Sequence, residues 1–441
     1  MDSGSRPPLR LAEEFGRSIA DGIGAEAFIE LQLSFATRLL PKFSDNSLIR
    51  MRQHILLHWD QSYFKSTLID EFAKTVPKDK PVINISSMTP ETLFGSISDD
   101  RKHIVKPVFA ENCFGKIDEL LGFLGTGNTM KDIVNTMNTG MEGKTVTRHL
   151  LKLGQLDFDK NKIEQLRTSN VNFDPNKAQL SHQPDFCIWA ASRPMENRTF
   201  TYLKTSGHLY RYHILQHEIS DEEAEHFFTK PLRPNLRLQE ELAVLNRQLA
   251  GVAVKNLSLP DEQIMVKILP PLKDIVKDEI ASEKRRLAEV IDIRTQGDIM
   301  REIAAHAFLR TVAENDFRDI EKLEYTSDDI EFILRRIGHF VEFKINPLFA
   351  DEFTERKHKK RPREQVKELV PQFLFDKEMR SRREIEEYVN NKMTVGNATI
   401  SATLVMLLEE HRICQPKYGS YILKEDCKTC KCRDSCLSKT E

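Results

Sequence analysis

The chain has 441 residues with 40% hydrophobic and 30% charged positions, a balance that excludes a disordered tail and a membrane protein and leaves room for more than one hydrophobic core. Its formal net charge of -2 excludes a protein coated in basic charge, so any surface for nucleic acid must be local. No run of about 18 apolar residues occurs, and the segment MDSGSRPPLRLAEEF has no apolar stretch of signal-peptide length, so the expectation is a cytoplasmic protein with no membrane partner.

Residues 8 to 45 carry apolar positions at helical spacing (Leu9, Leu11, Phe15, Ile19, then Phe28, Leu31, Phe35 and Leu39) and read as a helical lead-in, taken as residues 1–45. From residue 46 to 218 short apolar runs alternate with helical stretches: HILLH, KSTLIDEFAKTV, PVINIS, then an acidic pair, then DFCIWAAS. That alternation predicts a parallel sheet with crossover helices. Residues 219–350 read as almost wholly helical, with EELAVLNRQLA and IMREIAAHAFLRTVAEN the clearest periodic pieces, and predict a helical lid. The basic, proline-containing ERKHKKRPR falls in a linker over 351–363. Residues 364–424 read as three helices and a terminal hairpin, a winged helix, and 425–441 as a cysteine-rich tail.

The stretch LLHWDQSYFKSTLIDEF places an apolar run, a polar loop, Lys-Ser-Thr and an amphipathic helix in succession. Phosphate binding needs backbone N–H groups at a helix N-terminus, a lysine reaching the terminal phosphates and a hydroxyl on Mg²⁺. Lys65 and Ser66 fit the last two roles, with Thr67 beside them. Trp59 and Phe64 stand where the P-loop pattern has glycine, which removes the φ freedom glycine gives, and the same residues also fit an ordinary helix start. Further along, NCFGKIDELLGFL runs from a strand into Asp118-Glu119. An aspartate there can hold Mg²⁺ through water and the following glutamate can deprotonate an attacking water. DFCIWAASRP is a buried strand ending in Ser192-Arg193, where a sensor residue would meet the γ-phosphate.

With these motifs in this order the chain resembles AAA+ P-loop ATPases, within them the minichromosome-maintenance-like, helicase-loader branch, over roughly residues 50 to 340. The resemblance implies an α/β P-loop core with a parallel sheet, a helical lid and a C-terminal winged helix; ATP and Mg²⁺ as cofactors; DNA as partner; and a homo-oligomeric ring, expected to be a hexamer. It makes Glu119 and Ser192 catalytic, places Arg211 in TSGHLYRYHI as the arginine finger acting on a neighbouring subunit, and makes Arg294, seven before Arg301, the γ-phosphate contact of the sensor-2 helix. The usual sensor asparagine is replaced by Ser192-Arg193, and the N-terminal DNA-binding region of the replicative helicases is missing from the pattern.

VNFD-PNK-AQLSH reads as a β-hairpin with Lys177 at its tip, and the resembling helicases point such a hairpin lysine at the phosphate backbone in a central pore. In the winged helix, Lys417 and Tyr418 are wing residues suited to DNA, although the recognition helix NATISATLVMLLEEH is short of basic residues and such domains also bind proteins. Four of the seven cysteines, Cys427, Cys430, Cys432 and Cys436, have the spacing C-x₂-C-x-C-x₃-C, which suits Zn²⁺ or an iron–sulfur cluster; Cys113, Cys187 and Cys414 are scattered. The function expected is ATP-driven movement on or remodelling of DNA, the alternatives being a DNA-binding regulatory protein with a decayed P-loop and an AAA+ remodeller of protein partners.

Overall fold

The computed structural model describes residues 6–423 apart from 45–48, 61–63, 87, 98–103, 106, 111–112, 150–170, 175–178, 218–224, 226–233, 281–292, 342–361, 376–378, 393–396, 410–411 and 418. It divides into two compact units, residues 1–349 and 350–441.

The first unit is α/β and is built on a five-stranded parallel sheet. Its strands are β1 (His54–His58), β2 (Val82–Asn84), β3 (Cys113–Ile117), β4 (Phe186–Ser192) and β5 (Tyr212–Gln216), in the spatial order β5-β1-β4-β3-β2. β4 lies at the centre, paired with β1 through Ile55 opposite Trp189 and with β3 through Phe114 opposite Cys187. Every residue of β4 is buried, as expected of a parallel strand covered on both faces, and this is why it reads as a continuous apolar run rather than an alternation. Trp189 anchors this layer. It stacks on Phe114 with ring centroids 4.5 Å apart and meets Phe72 of helix α2 (Lys65–Ala73) edge to face at 5.4 Å. Its indole N–H donates to Ser34 Oγ at 2.9 Å, so the polar end of the ring is satisfied in the core.

Ser34 belongs to α1 (Pro8–Leu39), the expected lead-in helix. It is not one straight rod. Ala20 and Asp21 leave helical geometry, Asp21 at φ 39°, so two helical segments meet there. Gly16 and Gly24 face each other across the break: a Cβ on Gly16 would lie 2.1 Å from the Gly24 carbonyl oxygen and one on Gly24 2.2 Å from that of Gly16. Only the absence of side chains permits this approach. α1 then packs against both α3 (Leu236–Gly251) and α4 (Ile293–Glu314). Small residues on α4, Ala304 and Ala307, are fully buried beside Phe308. A buried polar chain from Gln32 through Asn246 to Thr75, at 2.9 and 3.0 Å, ties α1 and α3 to the end of α2.

The region expected to be almost wholly helical also holds two strands, Val254–Asn256 and Ile320–Lys322, paired in parallel. Three residues each are too short to register as a period in the sequence. Next to them Asp329, fully buried in the first turn of Ser327–Arg335, accepts hydrogen bonds from His306 Nδ1 at 2.7 Å, Arg310 Nη2 at 3.0 Å and the Thr326 backbone N–H at 2.8 Å. Burial alone would raise its pKa, but these donors outweigh it and hold the carboxyl at about 2. A depressed carboxyl contributes stability that is complete above its unfolded value of 3.8 and is lost as pH falls through the folded one. Acid titration of the full chain is therefore expected to show destabilisation between about pH 4 and 2 that is absent from Asp329→Asn; the same acid profile in that variant would refute the assignment.

The second unit has helices Pro362–Phe373, Arg382–Lys392 and Asn397–Glu409 around Val366, Val370, Ile385, Val389, Ile400 and Leu404. An antiparallel sheet adds Arg380–Ser381, Ser420–Leu423 and Ile413–Lys417 in that spatial order. The terminal hairpin turns at Gly419, whose φ of 74° is one that glycine adopts without cost. The short strand at 380–381 precedes its helix without any apolar signal of its own. Among the described residues of the chain no helix is long and apolar enough to cross a membrane.

Candidate phosphate-binding site

In an open parallel sheet, ligands collect beyond the carboxyl ends of the strands, where the connections diverge. Here the ends of β1, β4 and β3 lie side by side, with His58 of β1 opposite Ser192 of β4 and Ile117 of β3 opposite Ala190. That adjacency brings Lys65, Ser66, Asp118, Glu119 and Ser192 together from three separated segments.

Lys65 opens α2 and is nearly buried. Its ammonium donates to the carbonyl oxygens of Trp59 at 2.8 Å and Asp60 at 2.5 Å and lies 5.6 Å from the centre of the Trp59 ring. Burial lowers its pKa, opposed by the nearby Glu119 and Asp60 carboxylates. Added negative charge, such as a phosphate, would be favoured here for the same reason. Ser66 Oγ donates to the Asp118 carbonyl at 3.1 Å, which sets the serine hydroxyl next to the acidic pair. Thr67 is turned to a surface depression that it lines with Asp70, Asn84 and Lys116.

Asp118 is held by more groups than its sequence neighbours suggest. Its carboxylate accepts from Asn84 Nδ2 at 2.8 Å and Ser86 Oγ at 3.2 Å and pairs with Lys116 Nζ at 3.0 Å, while its own N–H donates to Ser86 Oγ at 2.8 Å. Burial opposes ionisation, but these donors together keep the carboxyl below the usual aspartate range. Lys116 also pairs with Asp70 of α2; it too loses charge stability by burial and regains more from its two carboxylate partners, so its pKa is raised. Glu119 caps the helix Leu120–Leu124 by accepting from the Leu121 N–H at 3.3 Å. The buried Ser192 hydroxyl, 3.4 Å from Glu119 Oε1 and 3.0 Å from the Arg193 carbonyl, joins the central strand to that carboxylate. His58, at the end of β1, is pushed down to about 4, by burial first and the Lys65 charge second, and is neutral around pH 7.

Just before α2 the backbone is glycine-like without glycine. Phe64 is its N-cap residue and sits at φ 56°, ψ 6°, the left-handed region. A bulky residue there costs roughly 1–2 kcal/mol. Phe64→Gly is expected to release that strain and tighten nucleotide triphosphate binding several-fold, measured by calorimetric titration; unchanged or weaker binding would show that the aromatic ring, packed on the core, matters more than the backbone.

Other expected site residues lie elsewhere. Arg211 stands just before β5, at the amino end of the sheet, where it pairs with Glu142 and donates to the Gly207 carbonyl. It is not brought to the Lys65 cluster. Arg294 lies in the first turn of α4, but its side chain is outside the described residues; Arg301 donates to the Arg50 carbonyl at 2.7 Å and pairs with Asp298. The expected hairpin forms, Val171–Asp174 against Gln179–His182, joined by Val146–His149 as a third strand. Its tip with Lys177 is outside the described residues, as are Tyr418, the Lys417 side chain and all four tail cysteines. Asn84, Ser86 and Lys116 were not anticipated. Lys116 precedes Asp118 by two, the strand repeat that places both on one side, and this was the one local signal. No protein-family model matches the chain, and no curated protein matches it.

Proposed function

We propose that the chain is a P-loop ATPase of the AAA+ class that acts on DNA as an oligomeric ring. The convergence of Lys65, Ser66, Asp118, Glu119 and Ser192 at the adjoining carboxyl ends of β1, β3 and β4 is the observation that carries this reading. In it, the first-turn N–H groups of α2 and the Lys65 ammonium would hold phosphate, Ser66 and Asp118 would hold Mg²⁺, Glu119 would take a proton from the attacking water, and Ser192 would keep Glu119 in place. The bound Mg²⁺ would supply charge for the terminal phosphates. What supports the reading is a buried lysine held on two carbonyls and an ionised aspartate whose main-chain carbonyl the Ser66 hydroxyl contacts. Arg211 then serves a neighbouring subunit rather than its own site, the hairpin around Lys177 and the second unit, read as a winged helix with Lys417, meet the DNA, and the cysteine tail carries Zn²⁺ or an iron–sulfur cluster.

The Lys65 contacts to the Trp59 and Asp60 carbonyls favour a second reading, in which nucleotide binds as a switch without turnover. Phosphate release from ATP with Mg²⁺, in the presence and absence of single- and double-stranded DNA, separates the two. Hydrolysis is expected, increased by DNA, with Lys65→Ala weakening ATP binding by about 10- to 100-fold through the loss of a charged hydrogen bond. Binding without phosphate release would select the switch, and no binding at all would remove both.

A further inference from the structure

Both carboxylate oxygens of Asp118 are engaged by the protein itself. Oδ2 accepts from Asn84 Nδ2 at 2.8 Å and from Ser86 Oγ at 3.2 Å, and Oδ1 lies 3.0 Å from Lys116 Nζ. The three partners differ in kind. Asn84 and Ser86 are neutral and can stay on Oδ2 whatever approaches Oδ1. Lys116 is a cation, so any metal ion that takes a place on Oδ1 meets an ammonium already there, and like charges at that range repel strongly in a partly buried setting.

A second carboxylate gives this ammonium another place. Lys116 also pairs with Asp70 of α2. Asp70 lies four residues after Ser66, on the same face of α2, while Lys116 and Asp118 share one side of β3 and Asn84 stands opposite Lys116 in β2. The Lys116 side chain is 13% exposed, against 45% for Asp70 and 38% for Asp118. The ammonium is therefore sheltered between two carboxylates that both reach solvent, and Asp70, Asn84 and Lys116 line the same surface depression as Thr67. Leaving Asp118, the ammonium keeps one carboxylate and gains water.

We propose that Lys116 is a positioning residue that sets the magnesium requirement of the site: it holds Asp118 while the site is empty and is released to Asp70 when a divalent cation takes the Asp118 carboxylate. The inference rests on the phosphate-site reading above and names how that site is regulated. Without the ammonium, Asp118 stays held by Asn84 and Ser86 but is open at Oδ1. Without the charge of Asp70, the ammonium has Asp118 as its remaining carboxylate and competes harder for it. The two changes push the metal dependence in opposite directions.

The test measures ATP affinity of the full chain by calorimetric titration, with excess Mg²⁺ and again with EDTA, at one ionic strength so that screening is constant. The ratio of the two dissociation constants reads the contribution of the metal, and a merely structural change shifts both constants alike. Relative to the parent, the gain from Mg²⁺ is expected to rise about 3- to 10-fold in Lys116→Met and to fall about 3- to 10-fold in Asp70→Asn. In the double variant, Asp70→Asn is expected to change the ratio by less than about twofold from Lys116→Met alone, because Asp70 acts through the ammonium. If Lys116→Met folds poorly, Asp70→Asn, at a position open to solvent, still carries the expected fall. Ratios at the parent value in both single variants, or an Asp70→Asn effect of equal size with and without Lys116, overturn the proposal while ATP binding stands. A parent chain that binds ATP in neither condition removes the phosphate-site reading itself, and this proposal with it.

Discussion

Glu119→Gln is expected to lower ATP hydrolysis by about 100- to 10,000-fold while leaving ATP affinity within a few-fold of the parent. On the proposed reading the substitution removes the base and little else. A glutamine oxygen can still accept from the Leu121 N–H that Glu119 now caps and from the Ser192 hydroxyl, so neither the helix start nor the end of β4 is disturbed. Single-turnover phosphate release alongside equilibrium binding reads the two effects separately. Loss of binding together with turnover would mean that Glu119 supports the loop rather than the chemistry, and turnover at the parent rate would take the catalytic role away from it.

The largest effect on stability is expected from Trp189→Ala, about 3–5 kcal/mol. The ring is fully buried on the central strand, between Phe72 of α2 and Phe114 of β3, and its N–H partner Ser34 lies on α1. Truncation opens a cavity among elements from three parts of the chain and strips a buried hydroxyl of its donor. Trp189→Phe keeps most of the volume and loses only the hydrogen bond, so it is expected to cost about 1–2 kcal/mol. Denaturant unfolding followed by a probe in the first unit checks both; a loss under about 1 kcal/mol for the alanine variant would mean that the layer collapses around the gap.

Much of the sheet was legible because it is written in local runs. HILLH and DFCIWAAS carry the uninterrupted apolar runs ILL and FCIWAA, as strands buried on both faces do, and each ends in a polar residue at the carboxyl edge. Lys65 at the start of an amphipathic helix and Asp118-Glu119 at the start of another could be placed for the same reason. What could not be read was anything set by distant partners. The break in α1 falls at Ala20–Asp21, where no proline marks it, and is explained by the approach of Gly16 to Gly24, visible only once the segments fold back. The grip of Asn84 and Ser86 on Asp118 depends on β2 lying beside β3, and the order of strands is not a property of any strand alone. Phe64 is a different case: sequence shows a missing glycine, whereas the backbone keeps the left-handed turn that glycine would have made easy.

The tie that Lys116 makes between Asp70 and Asp118 bears on the order in which this protein is assembled. A cluster of carboxylates that relied on a dissolved cation for compensation would leave the newly made chain waiting for that cation before β3 and α2 could settle. With a lysine built into the strand, the counterion arrives with the polypeptide. The ends of β3 and α2 can therefore settle without waiting for a dissolved ion.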